Sequence, residues 1–195
     1  MTRTRTISDE ALLEAARDVF CRRGFAASTT EIARRARVSQ GVLFQRYATK
    51  AELFFAAMVP PAVDLRPRLE GWLAKGDMAW ALEQLMAALL DYFRAAVPVL
   101  MALATHPDFD FEAFARRHPA SSLAALRADM VAFFEMARAR GLETERDPGA
   151  TSLVLIASMC GMALFERVGV HGGHFPPVLI TRVAERMWPP PARGD

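Results

Sequence analysis

Alternation of apolar and polar residues, the mark of a half-buried strand, is almost absent from this chain of 195 residues. Sandwiches, barrels and open sheets are therefore excluded. Cysteine is nearly absent too. Cys21 and Cys160 lie far apart in apolar helical patterns, and no CxxC joins either to a neighbour. That excludes a disulfide framework and a thiolate metal centre, and it favours a reducing cytoplasm. Of only four histidines, His171 and His174 stand in "HGGH" with no acid or cysteine beside them. A glycine loop is expected there, and no metal. The chain has no HExxH, GxSxG, P-loop or GxGxxG, so an enzyme is the least favoured class and no cofactor is expected. No apolar run follows Arg3 and Arg5, so no signal peptide is expected. The net charge of +2 by itself says nothing about nucleic acid.

The distribution of charge says more. Residues 1–50 hold ten Lys/Arg against five acids, and the remainder holds fourteen against seventeen. A basic end on an acidic body points to a polyanion at that end, with a solvated helix face as the alternative. The hydrophobic fraction is 52 %, enough for a large core and against disorder. Pro148 to Phe165 carries no charge. Its Pro, Gly, Ser and Thr content and the lack of flanking aromatics favour a helix buried in protein over a membrane span.

Ala, Leu, Met, Arg and Glu at helical spacing predict an all-α fold. Ser8 is placed to cap a first helix, whose apolar face is Leu12, Ala15, Ala16, Val19 and Phe20, and Gly24 to end it. Ser28, Thr29 or Thr30 opens a short second helix with Ile32, Ala33 and Ala36 inward. Arg37-Val38 makes a tight turn, Ser39 caps a third helix with Leu43 and Tyr47 inward, and Thr49 caps a fourth. The minimal turn between the second and third helices is helix-turn-helix spacing. Farther on, Pro60-Pro61 and Pro67 interrupt the fourth helix. A fifth is expected from Asp77 to about Ala96, broken by Pro98. A short helix follows at Phe111 to His118, then long ones from Pro119 to Gly141 and from Asp147-Pro148 to about Val168. A last helix covers Pro177 to Met187, before a polar tail.

"TTEIARRARVSQGVLFQRYATKAELF" resembles the DNA-binding signature of the TetR family of transcriptional regulators. The agreement rests on Thr29, Thr30, Ile32, Ala33, Val38, Ser39, Gly41, Phe44, Tyr47 and Lys50, and on "ALLEAARDVFCRRGF" upstream. It covers about residues 8–55. The resemblance implies an N-terminal three-helix helix-turn-helix DNA-binding domain at 1–50. A larger helical ligand-binding and dimerisation domain would follow at 51–195. It also implies a cytoplasmic homodimer on double-stranded, pseudo-palindromic DNA, a repressor released by a small-molecule effector. An activator, or a regulator of this fold answering to a protein partner, stays open. The DNA-contact set is Thr29, Thr30, Arg37, Gln40, Gly41, Val42, Phe44, Gln45, Arg46 and Lys50. Gly41 admits the backbone to the groove. Gln40 suits an adenine edge and Val42 a thymine methyl. Gln45 and Arg46 point to bases or phosphate, and Lys50 with the fourth helix start to phosphate. Arg3 and Arg5 make a flexible arm. Phe44 stands where the family most often has tyrosine. Arg37 stands where it often has glycine, at a cost if the turn needs a positive φ.

In the second domain the expected ligand lining is Phe54, Met58, Trp72, Trp80, Met86, Leu89, Phe93, Met101, Phe109, Phe114, Met130, Phe133 and Phe134, with plain core as the alternative for each. Polar groups to orient a guest are few: Tyr92, Arg94, Thr105, His106, Arg127 and Ser158. The effector is therefore expected to be apolar or weakly polar. Leu155, Met159, Met162, Ala163 and Glu166, with Val178, Val183 and Met187, are expected to build a four-helix dimer interface. That interface accounts for the uncharged stretch without a membrane.

Overall fold

The computed structural model describes residues 7–60, 62, 64–119, 123–142, 146–170 and 172–187. Arg3, Arg5, Pro61, His171 and the polar tail lie outside them. Among the described residues every regular element is helical. The elements are α1 (Asp9–Arg23), α2 (Thr29–Ala36), α3 (Gln40–Arg46), α4 (Lys50–Ala57), α5 (Arg66–Leu73), α6 (Met78–Leu103), α7 (Phe111–Arg117), α8 (Leu123–Ala139), α9 (Pro148–Val168) and α10 (Pro177–Met187).

The N-terminal helices begin where their capping side chains dictate. Ser8 Oγ accepts from Ala11 N, Ser28 Oγ from Thr30 N, Ser39 Oγ from Val42 N and Thr49 Oγ1 from Glu52 N. Each occupies a donor that the first helical turn leaves without a partner. At α4 the Glu52 side chain also reaches back over the cap, where its Oε2 accepts from Ala48 N at 2.9 Å. Asp77 and Asp147 cap α6 and α9 in the same way.

The chain divides into two compact units, Met1–Pro60 with Pro98–Arg117, and Pro61–Val97 with His118–Asp195. The first is larger than a 1–50 domain and is completed by a distant segment. Its core gathers Val19 and Phe20 of α1, Ile32 and Ala33 of α2, Leu43 of α3, Leu53, Phe54 and Met58 from α4, and Val99, Ala102 and Leu103 from the end of α6. Helix α6 does not end near Ala96 ahead of Pro98, as the proline suggests, but continues to Leu103. Proline removes one helical hydrogen bond, yet Val99, Ala102 and Leu103 beyond it are all buried. Burial of that apolar turn outweighs the lost bond.

The second unit has its own core of Leu69, Leu73, Leu85, Leu89, Phe93, Met130, Phe133, Leu155 and Met159, among others. Polar ties cross it as well. Buried Asp129 of α8 accepts from Arg66 Nε at 2.6 Å and from Leu65 N, fixing the start of α5. Glu166 of α9 holds Arg94 of α6 through two bonds, of 2.7 and 2.8 Å. Helices α6 and α9 are long and apolar enough to cross a membrane by length and composition.

Candidate nucleic-acid interface

Helix α2 ends because Arg37 turns left-handed, with φ 57° and ψ 40°. Its N–H closes onto the carbonyls of Ala33 and Arg34. Two residues later Ser39 starts α3, so the start of α3 is fixed against α2. Leu43 is the one fully buried residue of α3, and it anchors the helix on the first unit's core. The opposite side of α3 is open: Gln40, Gly41, Phe44 and Gln45 are exposed, and Phe44 keeps 42 % of its surface accessible.

Gly41 has ordinary helical geometry, and a Cβ there would meet only Ser39 Oγ at 3.7 Å. Nothing inside the protein requires a glycine at this position. The free space lies on the outer face, where a close-approaching partner benefits from it. Gln40 Nε2 donates to Thr29 Oγ1 at 3.1 Å and to Thr30 Oγ1 at 2.8 Å. The amide is thus held over the start of α2. Both hydroxyls accept from it and keep their own protons for an outside acceptor. Lys50 opens α4, with Nζ 4.6 Å from the centre of the Phe25 ring. That cation–π contact holds the ammonium in place while leaving its donors available. Thr29, Thr30, Gln40, Gly41 and Lys50 therefore sit at the starts of three consecutive helices.

Arg46 does something else. Its Nη2 donates to Ile7 O at 2.7 Å, and Nη1 lies 2.9 Å from Asp9 Oδ1. The Nη1 contact is an ion pair by proximity rather than an aligned hydrogen bond. Arg46 thus ties the end of α3 to the start of α1 and does not face outward with Gln45. Val42 is half-buried beside it. Arg46→Ala should cost about 1–2 kcal/mol in urea unfolding. A base-specific loss of DNA binding at unchanged stability would return Arg46 to the reading set.

The segment 98–117 was not legible as part of this unit. Thr105 Oγ1 accepts from Phe25 N at 2.7 Å and donates to Ala102 O at 2.6 Å. Gly24 has φ +63°, and a Cβ there would lie 2.8 Å from Thr105 Cγ2; both facts require glycine. His106 is buried among the rings of Phe25, Phe54 and Phe55. These two residues were expected to orient a guest in the second domain. They brace the turn that carries Phe25, and through its ring Lys50. Only contacts at a sequence separation of eighty residues reveal this.

The expected ligand lining divides between the units. Phe54 and Met58 are fully buried in the core of the first. Phe109 and Phe114 pack against that same core, and Met101 is exposed. Met86, Leu89, Phe93, Met130, Phe133 and Phe134 form the closed core of the second, flanked by half-buried Trp72 and Trp80. An open groove of about 650 Å³ lies between α8 and α9, lined by Leu123, Val131, Leu153 and Ile156 with Arg127 and Glu135.

The expected dimer residues of α9 face the wrong way. Leu155 and Met159 are fully buried and Ala163 nearly so, while Met162, Val183 and Met187 are half-buried against the same core. Glu166 is 4 % exposed in its ion pair. The outward stripe consists of Leu153, Val154, Leu164, Phe165 and Val168, and Val178 of α10 is exposed as well. Among the described residues no three His, Cys, Asp or Glu gather as a metal-ligand set. Neither cysteine forms a disulfide, and burial pushes the Cys160 thiol up, away from the reactive thiolate.

Residues 12–57 match the family model described as "Bacterial regulatory proteins, tetR family". Solved structures share the fold along nearly the whole chain. A putative TetR-family transcriptional regulator from Mesorhizobium loti is 19 % identical, with TM-score 0.63 over 91 % of each chain. The transcriptional regulator FadR from Bacillus subtilis, in complex with stearoyl-CoA, is 11 % identical, with TM-score 0.64 over 92 % of this chain and 97 % of that one. A putative fatty acid metabolism regulator from Clostridium perfringens is 17 % identical, with TM-score 0.60 over 91 % of this chain and 96 % of that one.

Proposed function

We propose that this protein, whose residues 12–57 match the model of the tetR family of bacterial regulatory proteins, is a sequence-specific transcriptional repressor. It acts in the cytoplasm as a homodimer on a pseudo-palindromic operator and is released by a small effector with an apolar body. The observation that carries the reading is the outer face of α3. Gln40, Gly41, Phe44 and Gln45 are exposed on a helix anchored by Leu43, with Thr29 and Thr30 beside it.

In this reading the start of α3 enters the major groove. Gln40 leaves the two threonine hydroxyls and pairs with an adenine edge, and the freed hydroxyls donate to a backbone phosphate. Lys50 at the start of α4 takes another phosphate. The second copy covers the outward stripe of α9, which would otherwise leave five large apolar side chains in water. Apolar burial against protein then accounts for an uncharged helix without a membrane.

The effector reading draws on the methionine- and phenylalanine-rich second unit. It also draws on the stearoyl-CoA complex of the Bacillus subtilis relative. An acyl chain is an apolar guest of the expected kind. Such a guest releases DNA only by binding the DNA-incompetent conformation more tightly. Calorimetry with acyl chains of increasing length should show affinity rising with length. Tight binding confined to highly charged ligands without an apolar chain would sink the effector assignment.

The DNA assignment is tested by selecting bound fragments from sheared bacterial DNA and finding a shared inverted repeat. On such a site, Gln40→Ala should cost about 1–3 kcal/mol and relax the preference at particular base pairs. Lys50→Ala should weaken binding to all sequences and flatten the salt dependence by about one phosphate. If Lys50→Ala changed base preference and Gln40→Ala changed only salt dependence, the two roles would be reversed.

A further inference from the structure

Arg22 of α1, Arg34 and Arg35 of α2, and Arg37 at its end line one cleft of about 280 Å³ together with Val19 and Glu31. Arg35 is committed to Asp18. Among the described residues Arg22, Arg34 and Arg37 have no ion-pair partner, so the cleft holds three uncompensated guanidinium groups against the one carboxylate of Glu31. Arg37 adds a second observation. It is the one described residue other than glycine with a positive φ, in a conformation that costs an L-residue energy which glycine would not lose. A strained residue that projects a long cation into an exposed cleft points to a binding role. Planar guanidinium groups around a small polar cleft match the oxygens of a phosphate.

We propose that the cleft between α1 and the end of α2 is a phosphate-binding site, and that its occupant is the DNA backbone flanking the bases under α3. The proposal rests on the DNA-binding reading above. Arg37 lies only three residues before Gln40, and the cleft belongs to the same compact unit. The contact would widen the footprint of each head beyond the inverted repeat and strengthen binding without adding base preference. Arginines in the last turns of α1 and α2 also favour the negative ends of those helices, and the experiment separates the two roles.

Binding of the full-length protein is measured across a salt series on two duplexes. One holds a selected site with long flanks, and the other is trimmed to the inverted repeat. The comparison is with the Arg22→Gln/Arg34→Gln double variant, with Arg37→Asn, which tolerates the left-handed turn, and with Glu31→Gln. On the long duplex the double variant should lose about two phosphate contacts per head. Raising salt fourfold would then weaken the wild-type head about tenfold more than the variant head. On the trimmed duplex the two proteins should converge. Arg37→Asn should bind the long duplex more weakly while melting no lower than wild type. Glu31→Gln should bind it more tightly, because a carboxylate that repels phosphate is gone.

Equal affinity and equal salt slope of wild type and double variant on the long duplex would overturn the DNA-backbone assignment. Pyrophosphate supplies an arm that does not depend on DNA. If it raised the melting temperature of the wild type and not of the double variant while the salt slopes agreed, the phosphate site would stand and its occupant would be a free phosphorylated molecule. No effect in either arm would reduce the arginines to helix-end charges. A wild type that bound no DNA fragment would instead refute the DNA-binding reading and leave pyrophosphate to decide about the cleft.

Discussion

Leu153→Glu combined with Phe165→Glu should turn the protein into a monomer by sedimentation, with its helix content unchanged. Both side chains are largely exposed, at 59 % and 48 %, so a carboxylate at either position keeps its water in the single chain and costs the fold little. Across a two-fold axis the same carboxylates would be desolvated next to apolar neighbours and next to each other. Desolvated unpaired charges of that kind cost several kcal/mol. Loss of the dimer separates the two heads, and the second half-site must then bind as an independent event. With an effective concentration in the millimolar range for a tethered second head, operator affinity should fall about 100-fold or more. The contrast lies on the other side of the same helix. Leu155→Ala or Met159→Ala removes a fully buried side chain and should lower unfolding stability by about 2–5 kcal/mol. A double glutamate variant that still sedimented as a dimer would place the interface elsewhere.

Glu166→Ala should cost about 3 kcal/mol in urea unfolding at pH 7. The carboxylate holds Arg94 at 2.7 and 2.8 Å, accepts from Phe175 N at 2.7 Å and lies 2.9 Å from His174 Nδ1. Removing it takes two bonds from a partly buried guanidinium, which keeps only its contact with Asp91 Oδ1, and takes the carboxylate acceptor from Phe175 N. The same carboxyl sets an acid limit. The Arg94 guanidinium, opposed by burial and aided by His174 and Phe175 N, holds its pKa down to about 2 from an ordinary 4.5. Since the folded value lies below the unfolded one, the stabilisation is fully present above the unfolded value and is lost as pH falls from about 5 toward 2. The gap corresponds to about 3 kcal/mol, reduced toward 2 because Arg94 is 29 % exposed and solvent screens the pair. Unfolding curves of wild type and Glu166→Gln should therefore differ most near neutrality, narrow below about pH 5 and draw together only toward pH 2. A difference independent of pH would mean that the charge of Glu166 contributes nothing and that only its shape matters.

The local structure of the head was legible from chain neighbours alone. Ser8, Ser39 and Thr49 cap the helices they were expected to cap, and of Ser28, Thr29 and Thr30 it is Ser28 that caps the second, because capping is a matter between a side chain and the two or three residues that follow it. Leu43 and the spacing of Ile32, Ala33 and Ala36 fixed which sides of α2 and α3 face inward, since those short helices are apolar on one side only. The open side of α3, with Gln40 and Gly41, followed from the same asymmetry.

Tertiary structure decided what periodicity leaves degenerate. Helix α9 is apolar all round, so the stripe of Leu155, Met159 and Ala163 and the stripe of Leu153, Leu164 and Val168 are equally good candidates for a core. Only packing against the second unit's core chose the first. Arg46 follows Gln45 in a polar run, and its turn inward depends on Asp9 and Ile7, which folding brings beside it from almost forty residues away. Pro98 looked like a terminus because the loss of one hydrogen bond is local, whereas the burial of Val99 and Leu103 that offsets it is not. Thr105, His106, Phe54 and Met58 were apolar or polar residues of an undivided second domain until contacts placed them in the head. Caps, turns and one-sided helices are set by neighbours in the chain. The choice among apolar faces, and the partner of a long cation, is made only when distant segments compete for the same buried space.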